Sequence, residues 1–306
     1  MWSYSIRRVL GAIPTLFIII TLTFFVIHAA PGGPFDSEQA TPPQIRANLE
    51  AAYGLNQPVY IQYLRYLHGL VHGDFGPSFR YRDFTVTELI TRGLPVSLAL
   101  GVAALVLSIG VGVSLGVWAA LRRDRPTDHA LRMFAILGIT LPSLVVAPLL
   151  ALIFGVKLHW LPVGGWDGSI RTLILPTLAL ALPMIAFVSR LTRASLLEIL
   201  TSGFIRTARA KGLPERIVIM RHALRPALLP VVSYLGPATA AVLTGSLVVE
   251  TVFNIPGIGK YLVQGALNRD YLLVMGIVIV YATLTLLMNL LVDLVYGVLD
   301  PRIRHD

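Results

Sequence analysis

Apolar residues fall along this chain in long blocks, not in the short alternations of a soluble sheet or the narrow stripe of a soluble helix. Six blocks approach the ~20 residues that a helix needs to cross a hydrocarbon core: 9–29, 96–120, 131–156, 173–188, 227–249 and 272–299. Each predicts a membrane-spanning α-helix. The fourth is interrupted by Pro176 and Pro183. Arg7 and Arg8 ahead of the first block would also suit a signal peptide, but the block is long and Ala29-Ala30-Pro31 is a poor cleavage site, so it reads as a retained span.

Two polar excursions separate these blocks. Residues 31–94 open with the breaker cluster Pro31-Gly32-Gly33-Pro34 and continue into PVYIQYLRYLHGL, where Tyr60, Tyr63, Leu64 and Leu67 share one helical face. A Tyr-rich face suits the headgroup zone or the side of the bundle; a periplasmic partner is the other reading. The second excursion, 189–226, contains RTARAKGLPERIVIMRHALRPALLP. It predicts two short helices joined at Gly212-Leu213-Pro214, the second with Ile217, Met220, Leu224 and Leu228 at helical spacing.

Composition agrees with the pattern. Of 306 residues, 55% are hydrophobic and only 13% charged, with a mean hydropathy of +0.73, which describes an all-α polytopic membrane bundle of six transmembrane helices. The net charge of +9 would suggest nucleic acid in a soluble chain, but cytoplasmic loops collect Lys and Arg for topological reasons. With both termini inside, sixteen of the 25 Lys and Arg are cytoplasmic, among them Arg122, Arg123, Arg125, Arg190, Arg193, Arg206, Arg302 and Arg304. Nucleic acid is not an expected partner. No cysteine is present, which removes disulfides, thiolate metal sites and cysteine nucleophiles.

The basic excursion has two readings. One is a positive-inside loop lying on anionic lipid. The other takes the small residues Ala208, Ala210 and Gly212 at the helix corner as room for another protein to approach closely.

The second reading is where a family resemblance enters. Bacterial ABC importer permeases carry E-A-A-x-x-x-G, followed by I-x-L-P, in their last large cytoplasmic loop. Here Arg206, Thr207 and Ala208 fill the first three positions, Gly212 the glycine, and His222, Leu224 and Arg225 the I, L and P positions, so only Ala208, Gly212 and Leu224 match. The peptide branch of that family has its own version, and RTARAKGL with RHALRPALLPV is very similar to it. IRRVLGAIPTLFIII, APGGP, HGDFGPSF, ETVFNIPGIG, ALNRDY and LVYGVLDPRIR extend the likeness over the whole chain.

The resemblance implies a type I ABC importer permease fold in the bacterial cytoplasmic (inner) membrane. It divides the chain into an N-terminal transmembrane helix (1–30), an extracytoplasmic loop region (31–94), a permease core of five transmembrane helices (95–300) with a cytoplasmic docking loop (189–226), and a cytoplasmic tail (301–306). The implied docking residues are Arg206, Thr207, Ala208, Arg209, Ala210, Lys211, Gly212, Leu213, Pro214, His222 and Leu224. Implied partners are a homologous second permease subunit, two cytoplasmic ABC ATPase subunits and an extracytoplasmic peptide-binding protein. The substrate would be an oligopeptide or dipeptide, although nickel and heme-type substrates occur among relatives. This chain would bind no cofactor, and ATP and Mg would sit on the ATPases.

Other chemistries leave weaker traces. Gly112-Val113-Ser114-Leu115-Gly116 fits the G-x-S-x-G of a hydrolase, yet it lies inside an apolar block, where the same spacing reads as a helix-packing G-x-x-x-G. His68 and His72 could share a metal, but no third ligand accompanies them. No G-x-x-x-x-G-K-[ST] occurs, so no P-loop is present. Asp293 is an acid well inside a span, and Glu250 is expected at the outer interface. An ion-coupled secondary transporter is the alternative these acids allow; an intramembrane hydrolase is a further one. Glu250, Pro256, Gly257, Ile258 and Gly259 form either a possible outer gate or an interfacial hairpin.

Overall fold

The computed structural model describes residues 2–30, 32–33, 43–81 and 83–299. Pro31, Pro34, Asp300 and the tail with Arg302 and Arg304 lie outside them. Among the described residues the chain is helical, with one isolated bridge between Pro77 and Thr85.

Two helices form the centre. Helix α4 (Val86–Leu121) starts well before the apolar block, because Thr85 and Glu88 form a capping box: the Thr85 side chain accepts from the Glu88 N–H, and Glu88 accepts from the Thr85 N–H. Helix α7 (Ile170–Leu200) runs through both Pro176 and Pro183 without a break and continues to Leu200, beyond the apolar block. It is the best covered span, with 67% of its apolar window buried, against 6% for the first helix.

Helices α4 and α7 lie parallel along a line of small residues, Ala104, Ser108, Gly112 and Gly116. A Cβ on Gly112 would stand 2.8 Å from Val188 Cβ, and one on Gly116 2.6 Å from Ser189 O. Lipid tails are as apolar as leucine, so close van der Waals packing, not expulsion from water, holds such helices together. The packing reading of G-x-x-x-G is therefore correct. Ser114 Oγ donates to Gly110 O, as a helical serine does, and faces no base.

Helix α1 (Trp2–Ala29) lies at the periphery, with Leu10, Ile13, Phe17, Leu22 and Val26 exposed. Helices α2 (Pro43–Ala52) and α3 (Val59–Val71) follow. The expected face of α3 is divided between the surface and the bundle. Tyr60 and Leu64 are exposed, while Tyr63 and the buried Tyr66 pack on Phe24 of α1. Tyr63 also shares a 2.7 Å hydrogen bond with Thr21.

The third apolar block is not one helix. It forms α5 (Pro126–Thr140) and α6 (Ser143–Leu150), the latter extended by a π-helical turn, Ala151–Lys157. The two arms bend by 105°. Pro142 supplies no N–H, and Leu141 before it is extended (φ −76, ψ 118), as a residue preceding proline prefers.

After α7 come α8 (Gly203–Ala210), α9 (Glu215–Ile217), a π-helical stretch Val218–Ala223, and α10 (Leu224–Ala227). Helices α11 (Leu229–Val252), α12 (Ile258–Leu267) and α13 (Tyr271–Leu299) complete the described residues. Among the described residues, four helices are long and apolar enough to span a membrane, or five with the bent pair. Helix α11 has 24 residues, about 36 Å at 1.5 Å per residue.

Candidate functional site

One end of the bundle carries the basic corner. Helix α7 closes through Ser202, and α8 folds back beneath it. Its apolar residues Ile205 and Ala208 are buried against Ala120, Leu196, Val218, Ala223 and Ala227. The chain then turns at Gly212, whose φ of +74 lies in the left-handed region that a side chain adopts only at a cost. The Gly212 N–H donates to Arg209 O at 2.9 Å. Across the turn, Arg209 holds Glu215 with two bonds, Nε to Oε2 at 3.1 Å and Nη2 to Oε1 at 2.6 Å. The bonds from Arg209 hold the Glu215 carboxyl below the usual carboxylate range. The corner is thus a preformed, braced unit.

Two expectations about it change. Ala208 does not offer room to a partner, because it packs inward on the chain's own core. The second helix also turns its other side inward: Ile217 and Met220 are exposed, while Val218, Ala223 and Ala227 are buried. The π-helical stretch causes this, since it places inward residues five apart. The outer face therefore shows Phe204, Ile217 and Met220 among Arg206, Arg209, Lys211, Arg216 and Arg221, with Thr207, Ala210 and Pro214 beside them. Leu213, His222 and Leu224 are half-buried beneath it. Helical spacing alone did not say which of these apolar residues would face outward.

The opposite end holds a second constellation. Glu250, expected at an interface, is fully buried at the end of α11. Its carboxylate accepts from Ser97 Oγ of α4 at 2.7 Å and from the Lys260 N–H of α12 at 3.0 Å. A Cβ on Gly257 would stand 2.3 Å from Glu250 Oε2, and one on Gly259 2.8 Å from it. Both glycines are therefore needed for the carboxylate to approach. Ile258 is buried against Val86, Leu89, Ile90, Leu273 and Ile277, so α12 packs on α4 and α13.

Nearby, Asp270 is fully buried and accepts from Ser78 Oγ at 2.5 Å, the Phe79 N–H at 3.1 Å and the Arg80 N–H at 3.2 Å. Two stretches that resembled known motifs separately, HGDFGPSF and ALNRDY, are one structural unit.

Between the two ends, a cavity of about 330 Å³ opens at the α5–α6 bend, lined by Ile139, Leu141, Ser143, Met184, Phe187 and Tyr234. Phe187 and Tyr234 stack with centroids 4.2 Å apart, and Arg190 lies over the Phe187 ring at 5.4 Å. Asp293 lines a separate cleft of about 670 Å³ between α1, α11 and α13, with Thr15, Ser233 and Asn289. His68 and His72 stand close, with centroids 4.5 Å apart, but no group of three metal-ligating residues occurs among the described residues.

Comparison with known proteins covers the whole chain. Residues 112–305 match the family described as binding-protein-dependent transport system inner membrane component, and residues 1–101 match its N-terminal companion. The chain is 53% identical over 306 residues to the oligopeptide transport system permease protein OppB of Salmonella typhimurium, covering all of both chains. It is 44% identical over 304 residues to the dipeptide transport system permease protein DppB of Bacillus subtilis, covering 99% of this chain and 98% of that one. Among solved structures, an amino acid ABC transporter crystallised with histidines aligns with a TM-score of 0.52 at 21% identity, over 69% of this chain and 94% of that one. That likeness concerns the fold alone.

Proposed function

Because the chain belongs to the family of binding-protein-dependent transport system inner membrane components, we propose that it is the permease subunit of an ATP-driven importer of oligopeptides or dipeptides. The observation that carries this reading is 53% identity, end to end, to an oligopeptide permease. The chain would work with a homologous second permease, two ABC ATPases that hold ATP and Mg, and an extracytoplasmic peptide-binding protein.

In this reading α1, α4, the bent α5–α6 pair, α7, α11 and α13 are the six spans of a cytoplasmic membrane protein with both termini inside. The segment boundaries at 30, 94 and 300, and the docking loop 189–226, keep their assigned roles. The basic corner docks the ATPase through its exposed face, Phe204, Arg206, Thr207, Arg209, Ala210, Lys211, Gly212 and Met220. An apolar centre with a cationic rim suits a partner that brings matching apolar and acidic groups. The Arg209–Glu215 brace and the packed Ile205–Val218 interior let the corner transmit a push without collapsing.

The opposite end, with Glu250, Pro256, Gly257, Ile258 and Gly259, closes the outer mouth. Peptide passes beside the α5–α6 bend, where the broken helix and the Phe187–Tyr234 pair line a cavity. ATP binding shifts the inward and outward states only through their different affinities for nucleotide and binding protein. Alternating access by rigid-body motion fits a helical bundle with a central path.

The test is reconstitution of the complex in liposomes with labelled tri- to pentapeptides. Uptake should require ATP, the ATPase subunits and the binding protein, and this chain alone should hydrolyse no ATP. Uptake driven by a proton gradient without ATP would overturn the reading.

A further inference from the structure

At its start, α12 has no cap of its own. The N-cap position is Gly257, which has no side chain to accept from the free N–H groups of the first turn. Those groups are satisfied from two other helices. The Ile258 N–H donates to Ser97 Oγ of α4 at 2.9 Å, and the Lys260 N–H to Glu250 of α11 at 3.0 Å. Ser97 in turn donates to Glu250, which closes a ring of α4, α11 and α12.

The far end of α12 is fastened to the same body. Tyr81 donates to Gln264, and buried Asp270 grips the 78–80 loop that leads into α4. Glu250 and Asp270 are both fully buried and, among the described residues, accept only from hydroxyls and backbone N–H groups. A buried carboxylate is tolerable only while its donors stay in place. Lifting α12 would strip donors from Glu250 and orphan the first turn of α12 in apolar surroundings.

We propose that residues 253–267 are not a hinged flap but move as one rigid body with α4 and α11, and that Ser97 and Glu250 are the positioning residues that fix them there. This rests on the reading of that end as the outer mouth. Access then changes by movement between such bodies, at the seam with the second permease, and not by α12 leaving its seat.

Two measurements on the assembled complex test this, and the cysteine-free chain makes both clean. In the first, Tyr81→Cys and Gln264→Cys are joined by a short bis-thiosulfonate after assembly. Peptide uptake should continue at the rate seen before bridging; loss on bridging, restored by reductant, overturns the proposal.

In the second, a lone Ile258→Cys is probed with a membrane-impermeant maleimide at rest, with ATP, and trapped with vanadate. It should stay protected at every stage. Glu250→Ala should raise its labelling rate about tenfold or more, as expected when buried N–H groups lose their acceptor, and Glu250→Gln, which keeps one acceptor oxygen, should restore most of the protection. Labelling during turnover without any change at Glu250, or no effect of Glu250→Ala, overturns the proposal. A complex that takes up no peptide before bridging defeats the transport reading instead, and the labelling comparison still decides this one.

Discussion

Arg193 of α7 grips Asp128 at the start of α5 with both prongs of its guanidinium, Nε to Oδ1 at 2.6 Å and Nη2 to Oδ2 at 2.7 Å. Asp128 is fully buried, and its Oδ2 also accepts from the Asp124 N–H at 3.0 Å, which fixes the turn between α4 and α5. Arg193→Ala removes both of these charge-assisted hydrogen bonds and leaves Asp128 with Arg132, whose Nε stands 3.7 Å from Oδ1, as its cationic neighbour. The expected loss of stability is about 2–3 kcal/mol, typical of hydrogen bonds to charged groups. Asp128→Asn should cost less, since it removes the charge while keeping an acceptor. Thermal unfolding of the purified complex checks the order, and equal stability of Arg193→Ala and the parent would show the pair to be ornamental.

The α4–α7 contact yields a contrast between glycines on one helix. A side chain at Gly116 meets Ser189 O at 2.6 Å, whereas a Cβ at Gly110 meets nothing within 4 Å. Gly116→Val should destabilise the bundle by about 1–3 kcal/mol through overpacking and reduce the yield of assembled complex. Gly110→Ala should be neutral. Size-exclusion recovery and melting in detergent measure both.

At the basic corner, a Cβ on Gly212 also meets nothing within 4 Å, so the internal penalty is confined to its positive φ, about 1–2 kcal/mol. Gly212→Arg should therefore insert and fold, yet lose binding-protein-stimulated ATP hydrolysis if this corner docks the ATPase. Phe204→Ser and Met220→Ser, both exposed, should weaken co-purification of the ATPase without lowering the melting temperature. Wild-type hydrolysis and uptake in all three would return the corner to a topological anchor.

Orientation is open to single-cysteine labelling, and the structure chooses the probes. Ser78 is an unsuitable outer reporter because it is buried on Asp270; Tyr60 is exposed at 64%. Tyr60→Cys should react with an impermeant maleimide in intact cells, and Lys211→Cys only after permeabilisation. The reverse pattern would invert the assigned topology.

The sequence by itself determined the class of this protein and most of its long elements. Blocks such as 9–29 and 272–299 are so apolar that only a span suits them, and composition, hydropathy and the lack of cysteine need no tertiary information. The turn at Gly212-Leu213-Pro214 and the small-residue seam at Gly112 and Gly116 were legible for a similar reason, since glycine and proline act through the backbone wherever they stand. The capping box Thr85-x-x-Glu88 was equally local and would have placed the start of α4. Tertiary structure decided the rest, wherever a residue's role depended on a distant neighbour. Pro142 breaks its helix by 105°, while Pro176 and Pro183 stand within an unbroken α7 that the bundle covers on most sides. The π-helical turn set which residues after Pro214 face inward, Val218 and Ala223 being five apart. Glu250, Ser97, Asp270 and Ser78 lie up to 192 positions apart, and no spacing rule could pair them. Their hydrogen bonds exist only because folding brings four separate segments to one buried end, where each carboxylate must find donors or not be there at all.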